Sequence, residues 1–230
     1  MIEIRENCKA VRDKVAQAAL RAGRSPEDVT VIAITKTRSP QEIDAVIDSG
    51  FDQLGENRIQ ETNQKRGRVS GNARWHLVGH LQTNKAKLAV FLFDVVQSVD
   101  SLRVATTLNN HAGDAGKELD VLVQINTAGA SQQSGMPPDE TEEAIGQILS
   151  MSNLRLRGLM TIGAHEAEEA TVRSCFARLR EQREHLLSTF ARADLKLQYL
   201  SMGMSGDFEL AIAEGANMVR LGTTIFGPRS

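Results

Sequence analysis

The chain alternates short apolar runs with longer stretches in which apolar residues recur every three or four positions. The first such run, Val29-Thr30-Val31-Ile32-Ala33-Ile34-Thr35, contains six β-branched residues in seven. Such side chains fit a pleated surface, so the run predicts a strand buried on both faces. Ahead of it, Val11, Val15, Ala18 and Ala19 fall at helical spacing within a helix predicted over 6–22. Gly23 is its stop, and Ser25-Pro26-Glu27-Asp28 a turn.

A strand-then-helix unit then recurs. Ser39-Pro40 opens a helix with a capping serine and proline at the first helical position. That helix carries Ile43, Val46 and Ile47 and stops at Gly50. Further strands are predicted at 53–55, 75–79, 94–99, 120–126, 154–161, 197–201 and 218–222. The helices between them run through Lys65, over 84–90, from Ser101, after Pro137-Pro138, over 168–190 and over 207–214. Eight strands, each followed by a helix except at the last step, specify an α/β fold, a single (β/α)8 TIM barrel with an extra N-terminal helix. An open doubly wound sheet usually has fewer strands, and no G-x-G-x-x-G follows the first one. No linker or shift of composition divides the chain, so residues 1–230 are expected to form one domain.

Composition removes several alternatives. The 27 basic and 29 acidic residues leave a net charge of −2, which gives no electrostatic basis for binding nucleic acid or an anionic membrane. Aromatic residues are only 4% of the chain, too few for a base-stacking surface. No apolar stretch approaches the roughly 20 residues that span a bilayer, and Met1 to Glu6 has no apolar signal region. Cys8 and Cys175 lack a spacing signature, as expected in a reducing compartment, and the expected location is the cytoplasm.

In such a barrel the chemistry sits at the C-terminal ends of the strands. Lys36 stands there after the first strand, and alternation places it on the face of Ile32 and Ile34. It is either a solvated rim lysine or a desolvated amine able to attack an aldehyde. After strand seven, Ser201-Met202-Gly203-Met204-Ser205-Gly206-Asp207 reads as a small-residue turn into a helix, and Gly222-Thr223-Thr224 follows strand eight. These glycines permit tight turns. Their N–H groups also suit an anion, at the usual phosphate position of this fold. A reactive lysine beside a phosphate site suggests a phosphorylated carbonyl compound, either pyridoxal 5′-phosphate (PLP) or a phosphorylated sugar. Arg220 favours the former, because a guanidinium only donates and suits a pyridine nitrogen. His76 and His80 are about 13 Å apart on an extended strand, which argues against a metal site, while His80 is expected to line the pocket.

Seven ordered segments extend this picture. They are Ile34-Thr35-Lys36-Thr37; Gly55-Glu56-Asn57 with Gln60-Glu61; Trp75 to Gln82 with Asn84-Lys85; Gln97 to Asp100; Arg157 to Met160; Leu200 to Ser205; and Val219 to Gly227. Together they resemble the pyridoxal phosphate homeostasis proteins, over almost the whole chain. The resemblance implies a barrel like the N-terminal domain of alanine racemase. It implies that Lys36 holds PLP as a Schiff base and that Asn57 lies beside the cofactor. It further implies that Ser201, Gly222 and Thr223 hold the phosphate and that Arg220 faces the ring nitrogen. The implied role is to bind, buffer and deliver PLP without established turnover, to apo PLP-dependent enzymes as recipients, as a monomer or weak homodimer.

Two places depart from the family pattern, one of them at two residues. The loop after strand five has Ala130 and Gln133 where an acid and a lysine are usual, and Arg58 stands where tyrosine is frequent. The alternative function is a PLP-dependent amino-acid racemase, which needs an acid/base group on each face of the substrate. Alanine racemase takes one from a tyrosine of a further domain. The sole tyrosine here is Tyr199, in strand seven, and the chain ends at Ser230, so that second base is not expected.

Overall fold

The computed structural model describes residues 2–130, 132–164, 167–191 and 195–228. Eight parallel strands pair in sequence order and close into a barrel: β1 (Thr30–Ile34), β2 (Gln53–Glu56), β3 (Arg74–Leu77), β4 (Val95–Val99), β5 (Leu119–Gln124), β6 (Leu154–Met160), β7 (Tyr199–Met204) and β8 (Met218–Leu221). Pairing of β8 with β1, Ile32 opposite Arg220, completes the ring. Around it lie α1 (Ile2–Arg21), α2 (Pro40–Asp48), α3 (Ile59–Lys65), α4 (Ala86–Leu92), α5 (Leu102–Asp114), α6 (Thr141–Ile148), α7 (Glu169–Phe190), α8 (Phe208–Ala213) and α9 (Thr223–Phe226). The (β/α)8 barrel expected from the sequence is therefore the fold.

Strand alternation divides the core in two. Ala33, Leu54, Leu77, Val96, Val121, Leu159, Leu200 and Met202 face the helices. Ile32, Ile34, Val95, Leu122, Met160 and Met218 pack inside the barrel. Each fully buried aliphatic side chain contributes about 1.5–3 kcal/mol, against under about 1 kcal/mol for an exposed ion pair, so these two layers dominate stability. Local signals agree with them. Ser39 accepts from the Glu42 amide at 3.3 Å, and Glu42 accepts from the Ser39 amide at 2.8 Å, a capping box that starts α2.

Most boundaries shift by one or two residues from the sequence expectation, and three differences go further. α1 starts at Ile2 rather than near Glu6, because buried Ile4 and Cys8 extend the same apolar stripe. β7 begins two residues later and continues through Met204, so the strand takes in Met202 and Gly203 as well as Ser201. A short helix, α9, follows the last strand, where none was expected; Gly222 precedes it. The loop after β5 is closed by neutral groups, with the Asn126 amide donating to Ala130 O at 2.8 Å and the Gln133 amide to Gly163 O at 2.8 Å.

At the N-terminal end of the strands, buried Asp120 gathers three guanidiniums. Arg155 donates to it at 2.8 Å, Arg157 stands 3.6 Å away, and Arg74 makes a short hydrogen bond. A cavity of about 240 Å³ lies there, lined by Asp52, Gln53, Arg74, His76, Asp120 and Tyr199 among others.

Candidate functional site

The opposite, C-terminal end holds a cavity of about 780 Å³, within the size range of small-molecule sites. Its walls are contributed mainly by β1, β2, β6, β7, β8 and the segments that follow them. Lys36, Asn57, Ser205, Arg220, Gly222 and Thr223 line it together, over an apolar floor that includes Ile34, Val78 and Ile162. Ile32 and Ile34 point into the barrel as alternation requires, and Lys36 continues their face into the cavity.

The backbone around Lys36 is held from both sides. Thr37 has φ 64°, a left-handed conformation unfavourable for a β-branched residue. Its amide donates to Glu61 Oε1. Lys65 Nζ donates to Thr35 O at 2.6 Å and to Glu61 Oε1 at 2.8 Å, and pairs with Glu56 Oε1 at 2.5 Å. The Thr35 hydroxyl donates to the same Glu56 oxygen. Burial pushes the Glu56 carboxyl above its ordinary value, opposed by Lys65 and Thr35. Glu56 and Glu61 belong to one of the motif segments of the sequence, whereas Lys65 marks only the end of a predicted helix. The Glu61/Lys65 spacing of four on α3 is the sequence signal for that ion pair.

The loops after β7 and β8 meet at Ser205. Its Oγ accepts from the Gly222 amide at 3.2 Å and the Thr224 amide at 3.5 Å, and lies 3.3 Å from Thr224 Oγ1. Backbone donors thus converge on an oxygen at the cavity wall, the arrangement an oxyanion needs. Arg220 reaches the cavity from inside the barrel. Its NH1 donates to Ser201 Oγ at 2.8 Å and its NH2 to Thr161 O at 2.7 Å. Burial pushes the guanidinium down to about 10, with Asp207 opposing, so it remains protonated at neutral pH. Asn57 is brought to the wall by close backbone packing. A Cβ on Gly79 would stand 2.3 Å from Asn57 O, so only glycine permits that approach.

Three predicted residues are placed elsewhere. Met202 is fully buried in the outer core, facing the helices. Ser201 is fully buried and supports Arg220 without lining the cavity. His80 is exposed, and its Nδ1 lies 2.8 Å from Asp100 Oδ2, away from the cavity. His76 points into the barrel and hydrogen-bonds Gln53 and Gln97, so the two histidines serve different partners.

A closed parallel barrel with a lysine, an arginine and an amide-lined turn in one terminal cavity defines a class, and residues 3–230 match the family model of the alanine racemase N-terminal domain. The pyridoxal phosphate homeostasis protein of Escherichia coli (strain K12) is 41% identical, with 100% of this chain and 98% of that one covered. PipY of Synechococcus elongatus PCC7942 without PLP superposes with a TM-score of 0.89 at 32% identity, over 97% of this chain and 100% of that one. The PipY structure with PLP bound gives a TM-score of 0.82 at 34% identity, over 93% and 100%. The chain belongs to the pyridoxal phosphate homeostasis protein family.

Proposed function

We propose that this protein binds PLP in the C-terminal cavity, with Lys36 carrying the aldehyde as a Schiff base, and that it buffers and delivers the cofactor. The observation that carries this reading is the convergence of Lys36, Arg220 and the Ser205/Gly222/Thr223 turn on one cavity. They offer an amine, a fixed cation and an amide cradle, which match the aldehyde, ring nitrogen and phosphate of PLP. A relative of known structure, 34% identical, has PLP bound. When bound, the cofactor would supply an aldehyde that condenses reversibly with an amine. The protein's own groups would do the holding. Ser205 and the Gly222 and Thr223 amides would take the phosphate. Protonated Arg220 would donate to the ring nitrogen and keep it unprotonated, which leaves the ring a weaker electron sink. Asn57 would flank the ring.

Delivery rather than turnover is favoured by the position of Tyr199. A racemase of this class needs a tyrosine base above the cofactor, and the sole tyrosine lines the cavity at the other end of the barrel. The reading places the protein in the cytoplasm, as a monomer or weak homodimer, with apo PLP-dependent enzymes as recipients. Among the described residues no helix is long and apolar enough to cross a membrane.

The test is to add PLP to the purified protein, record the visible spectrum, reduce with borohydride and map the adduct by peptide mass. The expected result is a pyridoxyl group on Lys36 and none in Lys36→Ala, with no racemisation of amino acids in a chiral assay. Absence of an adduct, or an adduct only on other lysines, overturns the binding reading. Racemisation that disappears in Lys36→Ala overturns the carrier reading.

A further inference from the structure

Arg220 is the end of a longer array. From its NH1 the bonds run to Ser201 Oγ at 2.8 Å, from the Ser201 hydroxyl to Gln97 Oε1 at 2.6 Å, and between Gln97 Nε2 and His76 Nδ1 at 2.9 Å. They continue between His76 Nε2 and Gln53 Oε1 at 3.0 Å, and from Gln53 Nε2 to Asp52 Oδ1 at 3.0 Å. The array crosses the barrel interior from the cavity lined by Arg220 to the one lined by His76, Gln53 and Asp52. Ser201, Gln97 and His76 are at most 1% exposed.

The direction of every bond follows from the first. A guanidinium can only donate, so Ser201 Oγ accepts and its single proton must go onward to Gln97 Oε1. That fixes the Gln97 amide, whose NH₂ then faces His76 Nδ1 and makes it an acceptor. The ring proton is therefore on Nε2, aimed at Gln53. All donors point one way, from a cation to a carboxylate, an alignment in which each bond polarises the next. A protonated His76 would turn an N–H toward the Gln97 amide and break the array. Burial, with Arg74 adding to it, holds His76 down to about 3, in agreement with the neutral ring.

We infer that Ser201, Gln97 and His76 are positioning residues for Arg220, forming a one-way hydrogen-bond chain that fixes the orientation of its guanidinium at the cavity. The consequence for PLP rests on the function proposed above; the chain itself does not. Without it, only the bond from NH2 to Thr161 O would hold the guanidinium, which could then pivot about that contact. With it, the donor is presented in one orientation.

The experiment combines nuclear magnetic resonance of the PLP-free protein with PLP titration. In ¹⁵N-histidine spectra, with His76 assigned through His76→Asn, the ring is expected to be the Nε2–H tautomer, neutral between about pH 5 and 8. The Arg220 guanidinium protons, assigned through Arg220→Lys, are expected as separate, slowly rotating signals. Gln97→Glu keeps the volume but can only accept when ionised, so His76 is expected to move its proton to Nδ1 or become an imidazolium. Gln97→Leu cuts the chain, and the Arg220 signals are expected to collapse while PLP affinity falls about tenfold. An Nδ1–H or cationic His76 in the unmodified protein overturns the inference. So does survival of the Arg220 signals in both folded Gln97 variants. If the unmodified protein forms no Lys36 adduct, the PLP reading fails separately and the resonance experiment still decides the chain.

Discussion

The two ends of the barrel carry similar side chains in different company. At the N-terminal end Arg74, Arg155 and Arg157 surround Asp120, and Arg155 also pairs with Glu118, so their acceptors are carboxylates. At the C-terminal end the Arg220 guanidinium is held by a hydroxyl and a backbone carbonyl, neutral acceptors that orient it without cancelling its charge. The cavities differ accordingly, about 240 Å³ beside the arginine cluster of Asp120 against about 780 Å³ where Lys36 and Arg220 share the lining with Asp207 and Glu169. A count of basic residues does not distinguish a structural cluster from a binding site. The charge of their acceptors does.

The comparison can be broken most forcefully near its boundary, at Lys65. Lys65→Met leaves Glu56 buried without its counter-charge and is expected to cost about 3 kcal/mol, read as a lower denaturation midpoint. The loss should depend on pH. Burial raises the folded-state pKa of Glu56 above the unfolded one, so the folded protein binds the extra proton and stability falls as pH rises through that interval. Removing Lys65 raises the folded value further. The deficit is therefore expected to be small near pH 4 and full at neutral pH; a deficit equal at both would contradict this account.

Asp120→Ala tests the structural end. It leaves three partly exposed guanidiniums facing one another, and about 2 kcal/mol of stability should go, with Tm lower by about 4–8 °C and partly restored by salt. PLP affinity of the folded protein should not change. Ser205→Ala tests the binding end in the opposite sense. Stability should hold within about 0.5 kcal/mol, while PLP affinity falls about tenfold by titration of the visible band. His80→Ala should do least. Its pair with Asp100 is exposed, so under about 0.5 kcal/mol of stability and less than a twofold change in affinity are expected. A tenfold loss of affinity there would return His80 to the site.

The sequence revealed the architecture because its main signal is local. A β-branched run such as 29–35 or a capping box at Ser39 and Glu42 needs no distant partner to be read. Lys36, Ser205, Gly222 and Thr223 could be expected at one rim for the same reason, lying where strands give way to the segments after them, whereas Asn57 was expected beside the cofactor only from the resemblance. Met202 was misplaced because β7 extends to Met204, past the expected end at Ser201. Its small residues resemble a turn, while Gly203, at φ 90°, keeps the strand packed against Ala211 and Phe208. The four-residue α9 is too short to have a period. The interior polar chain was illegible because Gln97 and Ser201 meet only through closure of the barrel, from positions 104 residues apart.

That closure has a consequence for the order of events in the life of the molecule. Lys36 leaves the first strand and Arg220 belongs to the last, and the two strands pair directly. During synthesis the lysine emerges early, but Arg220, Gly222 and Thr223 join it only when β8 has paired with β1. On the proposed reading, a ligand held across the β1–β8 seam would not be captured before that seam closes. It would then act as a clasp on the closed ring and, by mass action, its binding energy would oppose the opening of that seam.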